Sequence, residues 1–251
     1  MHGTTMRRGP SALRAAWEIF RKDARIEIRT REVLATAGVF AIVIGVLSSM
    51  TYFVNPKYNR ATAAGTIWIA TFFASVLSFS RIWQREREES ALTALLVAPI
   101  PRGSIFLGKA LATFVTIVAI ELPLIALVMF LFAVNFTPPD DAITDPRSVH
   151  DPAIVHALAF AALVLLGTAA LALLGTLFGA MTVRTRARDL VLAVVLFPLL
   201  SPVLVCGVAG TRSAFEAQPF DDYRGFLALM GLFVFVGLTL GASLFSPLVD
   251  D

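Results

Sequence analysis

Apolar residues occupy this chain in long blocks, and the charged residues that separate the blocks crowd into a few short connections. Residues 33–56, 61–80, 152–183, 190–211 and 225–249 contain no Asp, Glu, Lys or Arg, and 110–139 is interrupted only by Glu121. Crossing about 30 Å of hydrocarbon takes roughly 20 helical residues. Backbone polar groups find no water there, so each block is expected to be a helix. The pattern predicts six spans at about 33–53, 63–80, 107–134, 154–182, 190–210 and 225–247. The expected fold class is all-α and integral to a membrane, with residues 1–251 forming a single transmembrane domain.

Composition agrees with the pattern. The chain is 57% hydrophobic and 16% charged, with a mean hydropathy of +0.77. A soluble domain has about 45–50% apolar and about 25% charged residues, so an aqueous core cannot absorb the surplus. One cysteine, Cys206, excludes an intrachain disulfide and a Cys-based metal cluster. No metal-ligand spacing, nucleic-acid motif or catalytic constellation is visible, so neither an enzyme nor a nucleic-acid binder is expected. The first 32 residues carry eight Arg/Lys and no apolar core. No cleavable signal peptide is therefore expected, and span 1 is read as an uncleaved anchor.

The basic residues set the orientation. With the N-terminus in the cytoplasm, sixteen Arg/Lys fall inside and five (Lys57, Arg60, Arg147, Arg212, Arg224) fall outside. Only this arrangement obeys the positive-inside rule, and it puts both termini in the cytoplasm. The outer loop 135–152, "NFTPPDDAITDPRSVHDP", has four prolines and four aspartates and reads as irregular.

Two cytoplasmic segments have helical character. In 11–32, Leu13, Trp17, Phe20, Ala24 and Ile28 form one stripe amid Arg and Lys, with Ser11 as the expected N-cap. A basic amphipathic helix with a Trp suits the membrane surface, so this is read as an interfacial elbow leading into span 1. In 85–97, Glu86, Glu88 and Glu89 stand where a helix would begin, which suits the positive end of its dipole. Leu92, Leu95 and Leu96 form an apolar patch, and Pro99 and Pro101 follow as stops. That face could rest on lipid or on a partner protein. Residues 103–110, "GSIFLGKA", match a phosphate-binding loop at all but the last position. Ala110 cannot hold magnesium, and Ile105, Phe106 and Leu107 are too bulky for a phosphate cradle, so the match is chance. These residues are expected to start span 3, with Phe106 and Leu107 facing lipid or helix and Lys109 snorkelling to headgroups.

Few polar groups fall within the spans. Glu121 is either functional or a protonated or hydrogen-bonded group at a helix or dimer interface. His150 and His156 flank the start of span 4 and are candidate haem ligands, though six apart they do not share one helical face. Gly167, Gly175 and Gly179 in span 4 suggest close helix packing, and Pro198 and Pro202 suggest a kink in span 5.

The run "REREESALTALLVAPIPRGSIFLGKALATF" resembles the cytochrome c maturation protein B family (haem exporter protein B, CcmB). The resemblance lies in Glu86, Glu88, Glu89, Leu92, Leu95, Leu96, Pro99, Pro101, Arg102, Phe106, Leu107, Gly108 and Lys109. Ser90 stands where the family has Gly, and Thr93 where it has Glu. The segment with Lys22, Asp23, Arg25, Glu27, Arg29 and Glu32, and the segment with Pro198 and Pro202, are similar to further family stretches.

The resemblance implies an ABC-2 exporter-like permease subunit in the bacterial inner membrane, with 85–97 as the coupling helix. Glu86, Glu88, Glu89, Leu92, Leu95, Leu96, Pro99, Pro101, Arg102 and Lys109 would couple it to an ATPase. It further implies that ATP and Mg bind a partner ATPase subunit (CcmA-like). Haem would be handled by a membrane subunit (CcmC-like) and a small subunit (CcmD-like), and would serve a periplasmic haem chaperone (CcmE-like). Two copies per complex would fit, with no cofactor bound by this chain. The tryptophan-rich signature of the haem-handling subunit is absent; Trp17, Trp68 and Trp83 are scattered. The residues alone also leave open a lipid, glycan or drug exporter subunit, an ion-coupled secondary transporter, and an assembly scaffold.

Overall fold

A computed structural model describes residues 11–50, 59–88, 100–136, 151–181 and 196–250. Its elements are α1 (Ala12–Thr30), α2 (Glu32–Met50), α3 (Asn59–Glu88), α4 (Arg102–Leu131), α5 (Ala153–Met181), α6 (Phe197–Phe215) and α7 (Phe220–Asp250). The described residues contain no strand. Six helices, α2 to α7, are long and apolar enough to cross a membrane. The chain is an all-α, multi-pass membrane protein.

The helix ends differ from the expected spans in instructive ways. α3 continues through Glu88, so Glu86 and Glu88 lie in its last turn and do not begin a new helix. The dipole argument made for them therefore has the wrong sign at this end. Glu89, Leu92, Leu95, Leu96 and Pro99 lie outside the described residues, as does His150. α4 starts at Arg102, directly after Pro101 at the N-cap position, and runs through Pro123 unbroken. α6 reaches Phe215, beyond the expected end of span 5. It can do so because Arg212 and Glu216 pair at 2.7 Å, which lets a charge sit in the last turn. α7 begins at Phe220, where Asp151 Oδ2 accepts the Phe220 N–H at 3.1 Å. Pro198 falls in the first described turn of α6 and Pro202 inside it.

α3 and α5 form the centre of the bundle. Their apolar windows are 67% and 61% buried, against 28% for α2 and 17% for α7. Lipid is as apolar as leucine, so close backbone approach over small residues is what joins spans. Ala37 and Ala41 of α2 accordingly meet an alanine face of α3, built from Ala63, Ala64, Ala70 and Ala74. Gly167 and Gly175 of α5 let this helix pack closely on aromatic side chains of α3. A Cβ at Gly175 would stand against Phe79 Cζ, and one at Gly167 against Trp68 Cη2, both far inside van der Waals contact. Gly207 of α6 receives the same tryptophan. Trp68 is thus wedged between two glycines, and its indole N–H donates to Thr211 Oγ1 at 2.8 Å.

α1 and the junctions next to it lie at one end of the bundle, here called the basic end. Arg81 bonds Glu32 at 3.1 Å there, tying α3 to the start of α2. At the other end Asn59 donates to the Phe132 carbonyl at 2.6 Å, and Arg60 to Asn135 Oδ1 at 2.9 Å.

Candidate functional site

The first two turns of α4 gather the residues that the sequence singled out at 101–109. Ile105 and Phe106 are fully buried. The Phe106 ring packs on α7, against Phe245 at 5.9 Å between centroids, and fills the space that a side chain at Gly241 would take. Gly108 supports α1: a Cβ there would stand 2.6 Å from the Ala16 carbonyl and 2.8 Å from Ile19 Cβ. Backbone cannot yield as a flexible side chain can, so this position accepts only glycine at the observed spacing.

Lys109 departs from expectation. Its side chain does not snorkel to the membrane surface; it is fully buried, with Nζ 3.3 Å from Asp23 Oδ2 of α1. The other Asp23 oxygen lies 3.0 Å from Lys22 Nζ. The physical reason is that α1 lies over this turn of α4 and closes the route to headgroups. Phe106, Gly108 and Lys109 therefore join three helices, α7, α1 and α4, within one turn and a half.

α1 presents its small residues, Ala15 and Ala16, and Ile19 to α4. Leu13 (79%), Trp17 (55%) and Ile28 (68%) of the expected stripe are exposed on its outer side. That geometry suits a helix resting on lipid. Ser11 stands at the N-cap position but makes no side-chain capping bond.

The helix stops where Arg31 adopts the left-handed conformation at φ 53°, its N–H bonding the Glu27 carbonyl at 2.7 Å. Glu27 then does something the sequence did not reveal. Its buried Oε1 accepts the N–H groups of Val33 at 2.9 Å and Leu34 at 3.0 Å, capping α2 from the preceding helix. Capping residues are normally sought next to the helix start, and this one stands five residues before Glu32, where α2 begins.

Glu121 lies in the middle of α4. Thr71 of α3 donates to its Oε1 at 3.1 Å, and Thr168 of α5 to its Oε2 at 2.6 Å. One carboxylate thereby connects three spans. Beside it runs an apolar cleft of about 250 Å³, bordered by Leu122, Ile125, Phe160 and Val164. His156 is buried, with Nδ1 3.2 Å from the Tyr223 hydroxyl of α7. Its ring lies inside the bundle, where this bond links α5 to α7. No group of three or more His, Cys, Asp or Glu able to hold a metal occurs among the described residues.

The sequence signature described as "CcmB protein" matches residues 14–140 and 150–247. The chain is 30% identical over 207 residues to heme exporter protein B of Rhodobacter capsulatus, covering 82% of this chain and 87% of the relative. It is 26% identical to the protein of the same name from Pseudomonas aeruginosa, over 82% and 85% of the two chains. For the Escherichia coli K12 protein of that name the figures are 24% identity, 92% and 93%.

Proposed function

The chain belongs to the CcmB family, and on that premise we propose that it is the membrane subunit of an ABC-type complex for cytochrome c maturation. The names of its relatives support haem as the cargo of the complex. The basic end faces the cytoplasm of a bacterium, both termini lie there, and the bundle sits in the inner membrane. A CcmA-like partner binds ATP and Mg. CcmC-like and CcmD-like partners handle haem, and hydrolysis is tied to release of the haem-loaded CcmE-like chaperone. This chain carries no catalytic group; two copies work with two ATPase copies.

The supporting observation is the joint at Phe106–Lys109. The segment that would contact the ATPase leaves α3 at Glu88 and re-enters at Arg102. Movement of that segment would reach α3 and α4, the helices it joins. Rigid helices transmit such movement as bodies, and the joint would pass it to α1 and α7. The ion-coupled alternative has Glu121 as its mid-membrane acid. Both oxygens of Glu121 accept threonine hydroxyls, which favours the ATP-driven reading.

The double variant Leu92→Asp/Leu95→Asp tests it. Insertion into the membrane should persist while the ATPase no longer co-purifies. Normal co-purification would count against the coupling role.

A further inference from the structure

We infer that the cavity between α6 and the start of α7 binds a zwitterionic aminophospholipid, with its phosphate on Arg212, its ammonium on Glu216 and an acyl chain along the apolar wall. Which leaflet supplies the lipid follows from the orientation proposed above; the site itself does not depend on it.

α6 turns Leu200, Val203, Gly207, Gly210 and Thr211 into the bundle. Its opposite face is a stripe that is apolar at first and polar at its end. Leu204, Val205 and Val208 come first, and Arg212, Ser213 and Glu216 continue it. Residues three and four apart share one face of a helix, and the stripe from 204 to 216 is about 18 Å long at a rise of about 1.5 Å per residue. Phe226 of α7 forms the facing wall of a cavity of about 610 Å³. Small-molecule sites typically hold about 300–1,000 Å³.

The polar tip lies at the end of the bundle remote from α1, where Phe215 packs on Phe136 at 5.7 Å between centroids. The apolar part runs back toward the middle of the span, where Val205 is 65% exposed. A ligand lying along this stripe must be apolar over most of its length and polar at one tip. A lipid has that shape, and the bilayer offers it at this depth. A water-soluble molecule would leave the wall at Leu204 and Val208 uncovered.

The charges at the tip select the head. Arg212 gives its Nε–H to Glu216 Oε1 at 2.7 Å, and Gln218 donates to Glu216 Oε2 at 3.0 Å. No further bond from the Arg212 guanidinium, and none from the Ser213 hydroxyl, occurs among the described residues. Both have donors to offer a phosphate, whose geometry a guanidinium matches closely. A carboxylate oxygen that accepts one bond has a second lone pair, so Glu216 can also accept from an ammonium. A purely anionic head would set its charge beside Glu216, and a purely cationic one beside Arg212. An ethanolamine head meets both, and its N–H groups donate where a trimethylated choline cannot.

The experiment uses the full chain in detergent with equal amounts of phosphatidylethanolamine, phosphatidylcholine and phosphatidylglycerol of identical acyl chains. Native mass spectrometry counts the lipid retained. Phosphatidylethanolamine should be favoured roughly fivefold over each of the others, the upper range for an ion pair open to solvent. Equal retention, or a preference for either of the others, would overturn the inference. Glu216→Gln should bring the ethanolamine and choline lipids level, and Arg212→Gln should lower retention of both. Ala209→Trp fills the cavity with both charges in place and should remove the preference. Phosphatidylethanolamine retention unchanged in any of the three variants would overturn the site.

Where a variant fails to fold, the unaltered chain still decides. Glycerophosphoethanolamine, the same head without acyl chains, should not displace the lipid at equal concentration. Displacement would assign the site to a soluble ligand and overturn the lipid reading.

Discussion

Lys109 and Glu121 are two charged residues on one helix, twelve positions apart, and both are buried. They are answered in opposite ways. Lys109 meets a carboxylate from α1, which is not among the helices long and apolar enough to cross a membrane. Glu121 meets two neutral hydroxyls, from α3 and α5, which are the most buried spans. A buried charge answered by a charge is costly to break, since removing one member leaves the other less well compensated. A carboxyl answered by threonines commits little, since each hydroxyl can turn back to a carbonyl of its own helix. The comparison separates an ion pair to a flanking helix from a hydroxyl bridge within the bundle.

The comparison can be broken or sharpened by substitution. Lys109→Glu should have the largest effect, about 3–5 kcal/mol, because it sets two carboxylates against each other in a buried place. Thermal unfolding in detergent would register it, and a near-native midpoint would erase the contrast. Gly108→Val should follow at about 1–3 kcal/mol, as overpacking against the backbone of α1; protease should then cut within α1 while the spans stay protected. Glu121→Leu should cost about 1–2 kcal/mol, the upper range for polar contacts between membrane helices. Glu121→Gln keeps an acceptor and should be milder still, with cytochrome c maturation intact. Lost maturation with normal stability would instead give Glu121 a role in transport. Smallest is Arg81→Ala, which removes an exposed pair worth about 0–1 kcal/mol. High salt should mimic it by screening the pair.

Much of this architecture is legible in the sequence because membrane helices announce themselves by length and freedom from charge. The elbow and the six apolar helices lie where those signals put them, within a turn or two at most ends. The misjudged ends have local causes. α3 overruns into "REREE" because acids at a helix terminus do not say which terminus it is. α6 includes Arg212 because an intrahelical partner, Glu216, makes the charge tolerable.

The site was harder to read. A buried Lys109 cannot be told from a snorkelling one without knowing that α1 lies above it. Trp68 and its two glycines come from three different helices, so no spacing in any one of them reveals the wedge. Glu27 matched the family pattern without a role, since a cap delivered from the previous helix has no adjacent signal.

The two bonds that fix the elbow differ most in the length of chain they close. Glu27 reaches Val33 and Leu34 across six and seven residues. Asp23 reaches Lys109 across 86. Closure over a short loop costs little entropy and happens early; closure over a long one waits for the distant segment. During synthesis the bend between α1 and α2 can therefore set as soon as span 1 is made, while the docking surface for α1 does not yet exist. A chain truncated after span 2 should keep the bend, yet leave α1 open to protease until span 3 is inserted.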